Sequence, residues 1–484
     1  MTAAETNYED PRRWKALALL SVAYLMVVLD ISIVNVALPS IQSELGFSPE
    51  NLQWVVSGYA LTFGGFLLLG GRLGDLLGRR RIFMFGLALF ALTSLLAGLS
   101  VNSEMLVAMR LLQGAAGAIL SPSVFSITSV TFREGAERNK ALGILGGIAG
   151  SGAAIGVLLG GVLTDYVGWE WIFYVNVPIG IATLFFVPRL VQESRAADLA
   201  RHFDAQGAVT VTASLMLLVF GLTQSNNYGW GSWQTIGALV GSAVLMAVFL
   251  TIEMRSRSPL VPLGFFRKRT PTGANIIGFG LGTAIFGMFF LLSLYMQQVL
   301  GYSPLKTGVA YLTVALLAVV ASGISQALVT RIGVRPVLAS GLAMLTVGLV
   351  LFSQVSVGGS YAADLLPGFI LIGFGLGFSF VPVSIAALAG ISGREAGLAS
   401  GLINTSQQIG GALGLAILVT VSTTRTEGLL EDGVAAPQAL TDGFGIAFWV
   451  GAGFAIVSVL ATFLVLRKKD LAVPSGEAAP VPTS

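Results

Sequence analysis

The sequence of 484 residues predicts an all-α polytopic membrane protein of fourteen spans, arranged as two six-helix units with two further helices between them. Three observations predict this. Apolar runs of about 20 residues, enough to cross about 30 Å of hydrocarbon, recur along the chain. The basic residues between the runs alternate between abundant and scarce. The later part of the chain partly repeats the earlier part. Hydrophobic residues make up 55% of the chain and charged ones 11%, whereas soluble domains carry about 25% charged residues.

The runs place spans at about 15–38, 52–72, 82–100, 103–125, 140–163, 171–188, 206–223, 233–252, 273–297, 304–327, 336–355, 363–388, 397–421 and 444–466. The first run is too long for a cleavable signal and lacks a cleavage site after it, so it is expected to stay as the first helix. With both termini on the cytoplasmic side of a bacterial inner membrane, 24 of the 27 Lys and Arg fall on that side. These include Arg79, Arg80, Arg81, Arg201, Arg257, Arg394, Arg467, Lys468 and Lys469. Lys306 and Arg425 fall outside, and Arg110 falls within a span. A wrong helix count would scramble this asymmetry. The 61 glycines suit close helix approach in lipid.

The repeat has an offset of 255. Leu45-Gly46-Phe47-Ser48-Pro49 matches Leu300-Gly301-Tyr302-Ser303-Pro304, Gly78 matches Gly333, and Arg80 matches Arg335. The expected units are residues 1–190 and 271–470, a two-helix insert at 191–270 with its flanking loops, and a disordered cytoplasmic tail at 471–484. Parallel six-helix repeats around a midplane cavity form a transporter architecture.

Composition excludes several chemistries. There is no Cys and one His, His202, so disulfides, His metal clusters and His proton relays are excluded. No metal or cofactor is expected. The net charge of +3 follows from the loop asymmetry and does not point to nucleic acid. A lipid-modifying enzyme would need a cluster of nucleophile, acid or metal ligands at one membrane face, and none is present.

The chemistry concentrates on the first span. Tyr24 to Pro39 is apolar except for Asp30 and Asn35. A carboxylate inside a span costs roughly 3 kcal/mol on insertion scales and usually marks function. Arg110 is a second charge at depth. Asp30 lies nine residues before Pro39, and Arg110 seven after Ser103. At about 1.5 Å per residue both sit roughly 10–13 Å below the outer surface, so Arg110 is the candidate partner. A proton-carrying role for the pair and a purely structural ion pair both fit these positions. The repeat gives Asp30 no acidic counterpart, since Ile285 stands at the matching position. Proton chemistry is therefore expected in the first half.

After the second span the chain reads Gly71-Arg-Leu-Gly-Asp75-Leu-Leu-Gly78-Arg79-Arg80-Arg81. A carboxylate ends one helix, a glycine makes the turn, and arginines anchor the face. This closely resembles the loop signature of the major facilitator superfamily, and the resemblance extends over nearly the whole chain. It implies the major facilitator fold and a gating charge network of Asp75, Arg79 and Arg80 with the opposing half. Leu106, Arg110, Gln113 and Gly114 resemble the family motif associated with proton coupling. Gly152, Gly156, Gly160 and Gly161 resemble its antiporter signature, with Val157 where the signature has proline. The bare spacing of those glycines indicates only a helix-packing face. The first span and Trp169 to Gly180 resemble the fourteen-helix drug:proton antiporter branch.

That resemblance implies export of hydrophobic or amphipathic drugs and antibiotics in exchange for protons, by a chain working as a monomer. Export of one endogenous metabolite or antibiotic, and proton-coupled uptake, stay open. Candidate polar anchors for substrate are Asn35, Gln113, Tyr295, Gln297, Asn404 and Gln407, though interhelical hydrogen bonding explains each equally well.

Overall fold

The computed structural model describes residues 12–133, 136–195, 204–256, 259–391 and 396–466. His202, the tail at 471–484, and Arg201, Arg257, Arg394, Arg467, Lys468 and Lys469 lie outside them. The helices are α1 Arg13–Leu45, α2 Pro49–Leu77, α3 Arg79–Gly98, α4 Ser103–Thr131, α5 Ala136–Tyr166, α6 Trp171–Leu190 and α7 Ala205–Tyr228. They continue with α8 Trp233–Arg255, α9 Arg269–Val299, α10 Pro304–Ile332, α11 Val334–Phe352, α12 Tyr361–Leu388, α13 Ala396–Glu431 and α14 Ala436–Val465. Among the described residues thirteen helices are long and apolar enough to cross a membrane. The remaining long helix is α5, with 31 residues.

The repeat is visible in backbone geometry. α1 ends at Gly46 with φ +66°, and α9 is followed by Gly301 with φ +64°. The chain then re-enters a helix through the same device. Ser48 accepts a hydrogen bond from the Asn51 amide, Ser303 accepts one from the Lys306 amide, and proline follows each serine. Such a cap satisfies a helix-end N–H, and proline at the first turn loses nothing. Gly78 and Gly333 separate the next helix pairs with φ +116° and +89°, values that disfavour any side chain.

Several helices outrun the expected spans: α1 reaches Leu45, α13 reaches Glu431 and α14 starts at Ala436. Pro39 does not end α1; the helix runs on to Leu45 and stops at Gly46. A left-handed glycine terminates a helix by capping its last carbonyls, and here the Gly46 amide bonds Gln42 O.

The halves pack alike. In the first, α1 packs on α5, α2 on α4, α3 on α4, and α6 on α1 and α3. In the second, α9 packs on α13, α10 on α12, α11 on α12, and α14 on α9 and α11. The halves join chiefly through α5 with α10 and α2 with α13. α7 and α8 pair with each other, and α7 leans on α2 and α13. The second half fills its interior with aromatics: Phe369 lies tilted against Tyr311 and edge-on to Phe352, and Phe352 tilted against Phe448, at centroid distances of 5.6, 5.5 and 5.8 Å.

A cavity of about 1040 Å³ opens between the halves. It reaches from Ile31, mid-way along α1, to Asp75 and Arg79 at the α2–α3 loop. At the opposite face the halves are closed. Gln297 donates to Val36 O at 2.9 Å and Gln298 to Gln42 Oε1 at 2.8 Å, tying α9 to α1.

Candidate functional site

Asp30 and Arg110 meet. Arg110 Nη1 donates to Asp30 Oδ2 at 2.5 Å, and the side chains are 1% and 0% exposed. Two charges this dry need more than each other, because attraction alone seldom repays desolvation. The remaining partners are present. Arg110 also donates to Val55 O at 2.8 Å and to Gln113 Oε1 at 2.6 Å, and its guanidinium lies 4.4 Å from the Tyr59 ring centroid. Asp30 Oδ1 accepts from Gln113 Nε2 at 2.7 Å and from Asn176 Nδ2 at 3.2 Å. Ser94 Oγ receives Gln113 and Asn176 together. Helices α1, α2, α3, α4 and α6 thus each contribute one or more groups to a single cluster. The Tyr59 hydroxyl is buried beside it without a hydrogen-bond partner.

Asn176, Ser94 and Tyr59 were not singled out from the sequence. The depth count that pairs Asp30 with Arg110 puts two of them somewhat nearer the same surface and does not single them out. Asn176 lies five residues into α6 and Ser94 four residues before the end of α3, about 6–8 Å from the same surface.

The glycine motif faces α1 and α10. A Cβ on Gly160 would stand 2.6 Å from Ile33 O, and one on Gly161 would stand 2.8 Å from Pro304 O. Gly152 and Gly156 likewise face Val28 and Ser32 of α1. The stripe holds the Asp30-bearing helix close to α5 and lets α5 meet α10 at the closed face. Val157, at the motif's proline position, is buried there, with its carbonyl against Gly308.

At the α2–α3 loop, Arg79 binds Asp75 Oδ1 at 2.7 Å, and Ser126 of α4 lies 3.4 Å from the same oxygen. Glu193, after α6, accepts from the Arg80 amide at 3.1 Å and the Arg81 amide at 3.3 Å, placing a carboxylate on the N-terminus of α3 where the helix dipole favours it. Arg80 donates to Val191 O. These partners come from the first half and from the segment just after α6, at Val191 and Glu193. Gly71 lines the cavity with Asp75 and Arg79.

The polar anchors scatter. Asn404 lines the cavity, together with Gln408. Gln113 belongs to the Asp30 cluster. Asn35 donates within its own helix to Ile31 O. Gln297 holds the closed face, and Tyr295 donates to Ser356 O at 2.7 Å. Gln407 packs beside Gly278 and Gly282 of α9. The cavity's aromatic side chains, Tyr24, Phe63 and Phe125, all come from the first half.

Two pseudo-symmetric six-helix repeats, a central cavity and a dehydrated ion pair behind its wall define a helical membrane transporter for small molecules. The family model for the Major Facilitator Superfamily matches residues 20–415, and the chain belongs to that family. It is 38% identical over 481 residues to Puromycin resistance protein pur8 of Streptomyces alboniger, covering 98% of this chain and 95% of the relative. It is 37% identical to Cephamycin export protein CmcT of Amycolatopsis lactamdurans, covering 95% and 94%. Among solved structures, the POT family transporter PepTSo aligns with a TM-score of 0.68 at 15% identity, covering 93% of this chain and 97% of that one. This last likeness concerns the fold alone.

Proposed function

We propose that the chain exports amphipathic drugs or antibiotics across a bacterial inner membrane in exchange for protons, working as a monomer with both termini cytoplasmic. Residues 1–190 and 271–470 act as the two moving halves, and 191–270 as an insert. The observation that carries the reading is the buried Asp30–Arg110 cluster directly behind the cavity wall. Val27 and Ile31 line the cavity on the same helix, while Asp30 is sealed from it. The names of the similar proteins, which concern puromycin resistance and cephamycin export, support export as the direction. The cephamycin name also favours a second reading, export of one particular antibiotic.

In this mechanism Asp30 is the proton carrier. A proton on Asp30 removes the charge that Arg110 pairs with. Arg110 then keeps Gln113 Oε1, Val55 O and the Tyr59 face as partners. Opening the Gln297 and Gln298 latch would expose the cluster to the opposite side, and Asp75 with Arg79 and Arg80 would gate the loop side. Inward proton movement supplies about 2.3 kcal/mol per 100 mV of membrane potential. The test is pH-gradient-driven efflux of puromycin from proteoliposomes by Asp30→Asn. Loss of gradient-driven efflux is expected, and wild-type rates would sink the carrier role.

A further inference from the structure

The Tyr59 hydroxyl is the group beside the Asp30 cluster that the fold leaves unused. The other members are occupied. Asp30 takes N–H donors from Arg110, Gln113 and Asn176. Amide and guanidinium N–H groups only donate, so none of these three can take a proton from the carboxyl. Ser94 Oγ accepts from both Gln113 and Asn176, which fills its two lone pairs. The Tyr59 oxygen is buried and has no hydrogen-bond partner among the described residues. A buried hydroxyl left unpaired costs about 1–3 kcal/mol, so its place here calls for a reason.

The ring spans the distance from the ion pair to the cavity wall. Its face lies 4.4 Å from the Arg110 guanidinium. Its hydroxyl lies against Gly117, about two helical turns along α4 from Arg110 in the direction of the cavity. A Cβ on Gly117 would stand 2.9 Å from the Tyr59 oxygen and 3.1 Å from the Phe63 ring, so a glycine is needed for the hydroxyl to reach this place. Phe63 stacks on Tyr59 at 5.8 Å and lines the cavity, as does Ser121, one turn beyond Gly117. The ionisable groups facing Tyr59 are Asp30 of α1 and Arg110 of α4.

We propose that Tyr59 is the proton relay between Asp30 and the cavity. A proton leaving the Asp30 carboxyl passes, by way of a bridging water, to the phenol oxygen. The phenol's own proton passes to water in the cavity beside Ser121. One O–H bond of the phenol forms and one breaks, so Tyr59 is neutral before and after. The net change is one proton delivered to the cavity and a carboxylate left facing Arg110. The stacked rings of Tyr59 and Phe63, 2% and 7% exposed, keep bulk water off the pair and leave this as the route. The relay rests on the reading of Asp30 as proton carrier and adds the path by which it discharges.

The test is time-resolved infrared spectroscopy of the full-length protein in nanodiscs after an upward pH jump. It follows the carboxylic acid C=O band that Asp30→Asn removes. Tyr59→Phe keeps the ring and its packing on Arg110 and loses only the hydroxyl. It is expected to leave the amplitude and midpoint of the band in place and to slow its decay about 100-fold or more, the lower end of what a positioned proton-transfer group contributes. Gly117→Ala keeps the hydroxyl but displaces it, and is expected to slow the decay by a smaller factor. Decay as fast as wild type in Tyr59→Phe overturns the relay. Slowing that comes with a smaller band and a lower unfolding temperature reports a structural role and overturns it too. If Tyr59→Phe does not fold, Gly117→Ala decides, and wild-type decay there overturns the relay. A wild type with no Asp30-dependent band at any pH refutes Asp30 as carrier, and the relay falls with it. An Asp30 band that decays equally fast with and without the hydroxyl refutes the relay and leaves the carrier standing.

Discussion

Removing either charge of the central pair should destabilise the protein, and removing both should largely restore it while transport stays lost. The perturbations are Asp30→Asn, Arg110→Met and the double variant. In Asp30→Asn, Arg110 stays about 99% buried, and its acceptors are Val55 O, Gln113 Oε1 and the neutral amide that replaces the Asp30 carboxylate. In Arg110→Met, the carboxylate keeps Gln113 and Asn176 as donors but loses its countercharge. An uncompensated buried charge costs about 3–5 kcal/mol. Neutralising both removes that penalty, and methionine refills most of the arginine's volume at a cost of about 1–2 kcal/mol. The coupling energy between the sites should therefore be about 6–10 kcal/mol, the two charge penalties together. Thermal unfolding of the purified protein in one detergent reads the stability, and pH-gradient-driven efflux from proteoliposomes reads the function. Additive destabilisation in the double variant would refute the buried pair, and efflux in the double variant would refute Asp30 as carrier.

Other outcomes follow from the geometry around the pair. Asn176→Ala removes one donor to Asp30 and one to Ser94, and should cost about 1–3 kcal/mol of stability with slowed efflux; unaltered unfolding and efflux would place Asn176 outside the cluster. Gly156→Ala puts a Cβ against Ser32 and 3.1 Å from Leu29 O, so α1 and α5 should separate at a cost of about 1–3 kcal/mol, seen as a lower unfolding temperature. Because the chain has no native cysteine, Val36→Cys with Gln297→Cys can be cross-linked directly; locking the closed face should stop efflux, with recovery on reduction. Asp75→Asn should change stability by less than about 1 kcal/mol, since its ion pair is partly exposed, yet alter efflux rate if the loop gates.

The membrane class, the helix order and the duplication were legible because each rests on repeated signals: apolar length, loop charge and glycine-serine-proline turns that need one backbone shape. The Asp30–Arg110 contact was legible because charges in lipid are rare and their depths can be counted. Asn176 and Ser94 lacked such a mark, since a neutral polar group in a span has many possible uses. Gln297 shows the same ambiguity from the other side. It looked like a substrate anchor, and its amide is taken by a backbone carbonyl of α1. Pro39 misled because proline usually closes a helix, whereas the positive φ of Gly46 set the end.

The cavity wall and the ion-pair cluster share helix α1 without sharing residues. Tyr24, Val27, Val28 and Ile31 face the cavity, and Asp30 faces away into the bundle among Arg110, Gln113 and Asn176. In the exporter proposed here, the cargo list and the power source are therefore encoded by separate codons on one helix. A substitution in the wall can change what the cavity accepts while leaving every group of the Asp30 cluster in place. That separation gives this architecture room to diversify its cargo without rebuilding its engine.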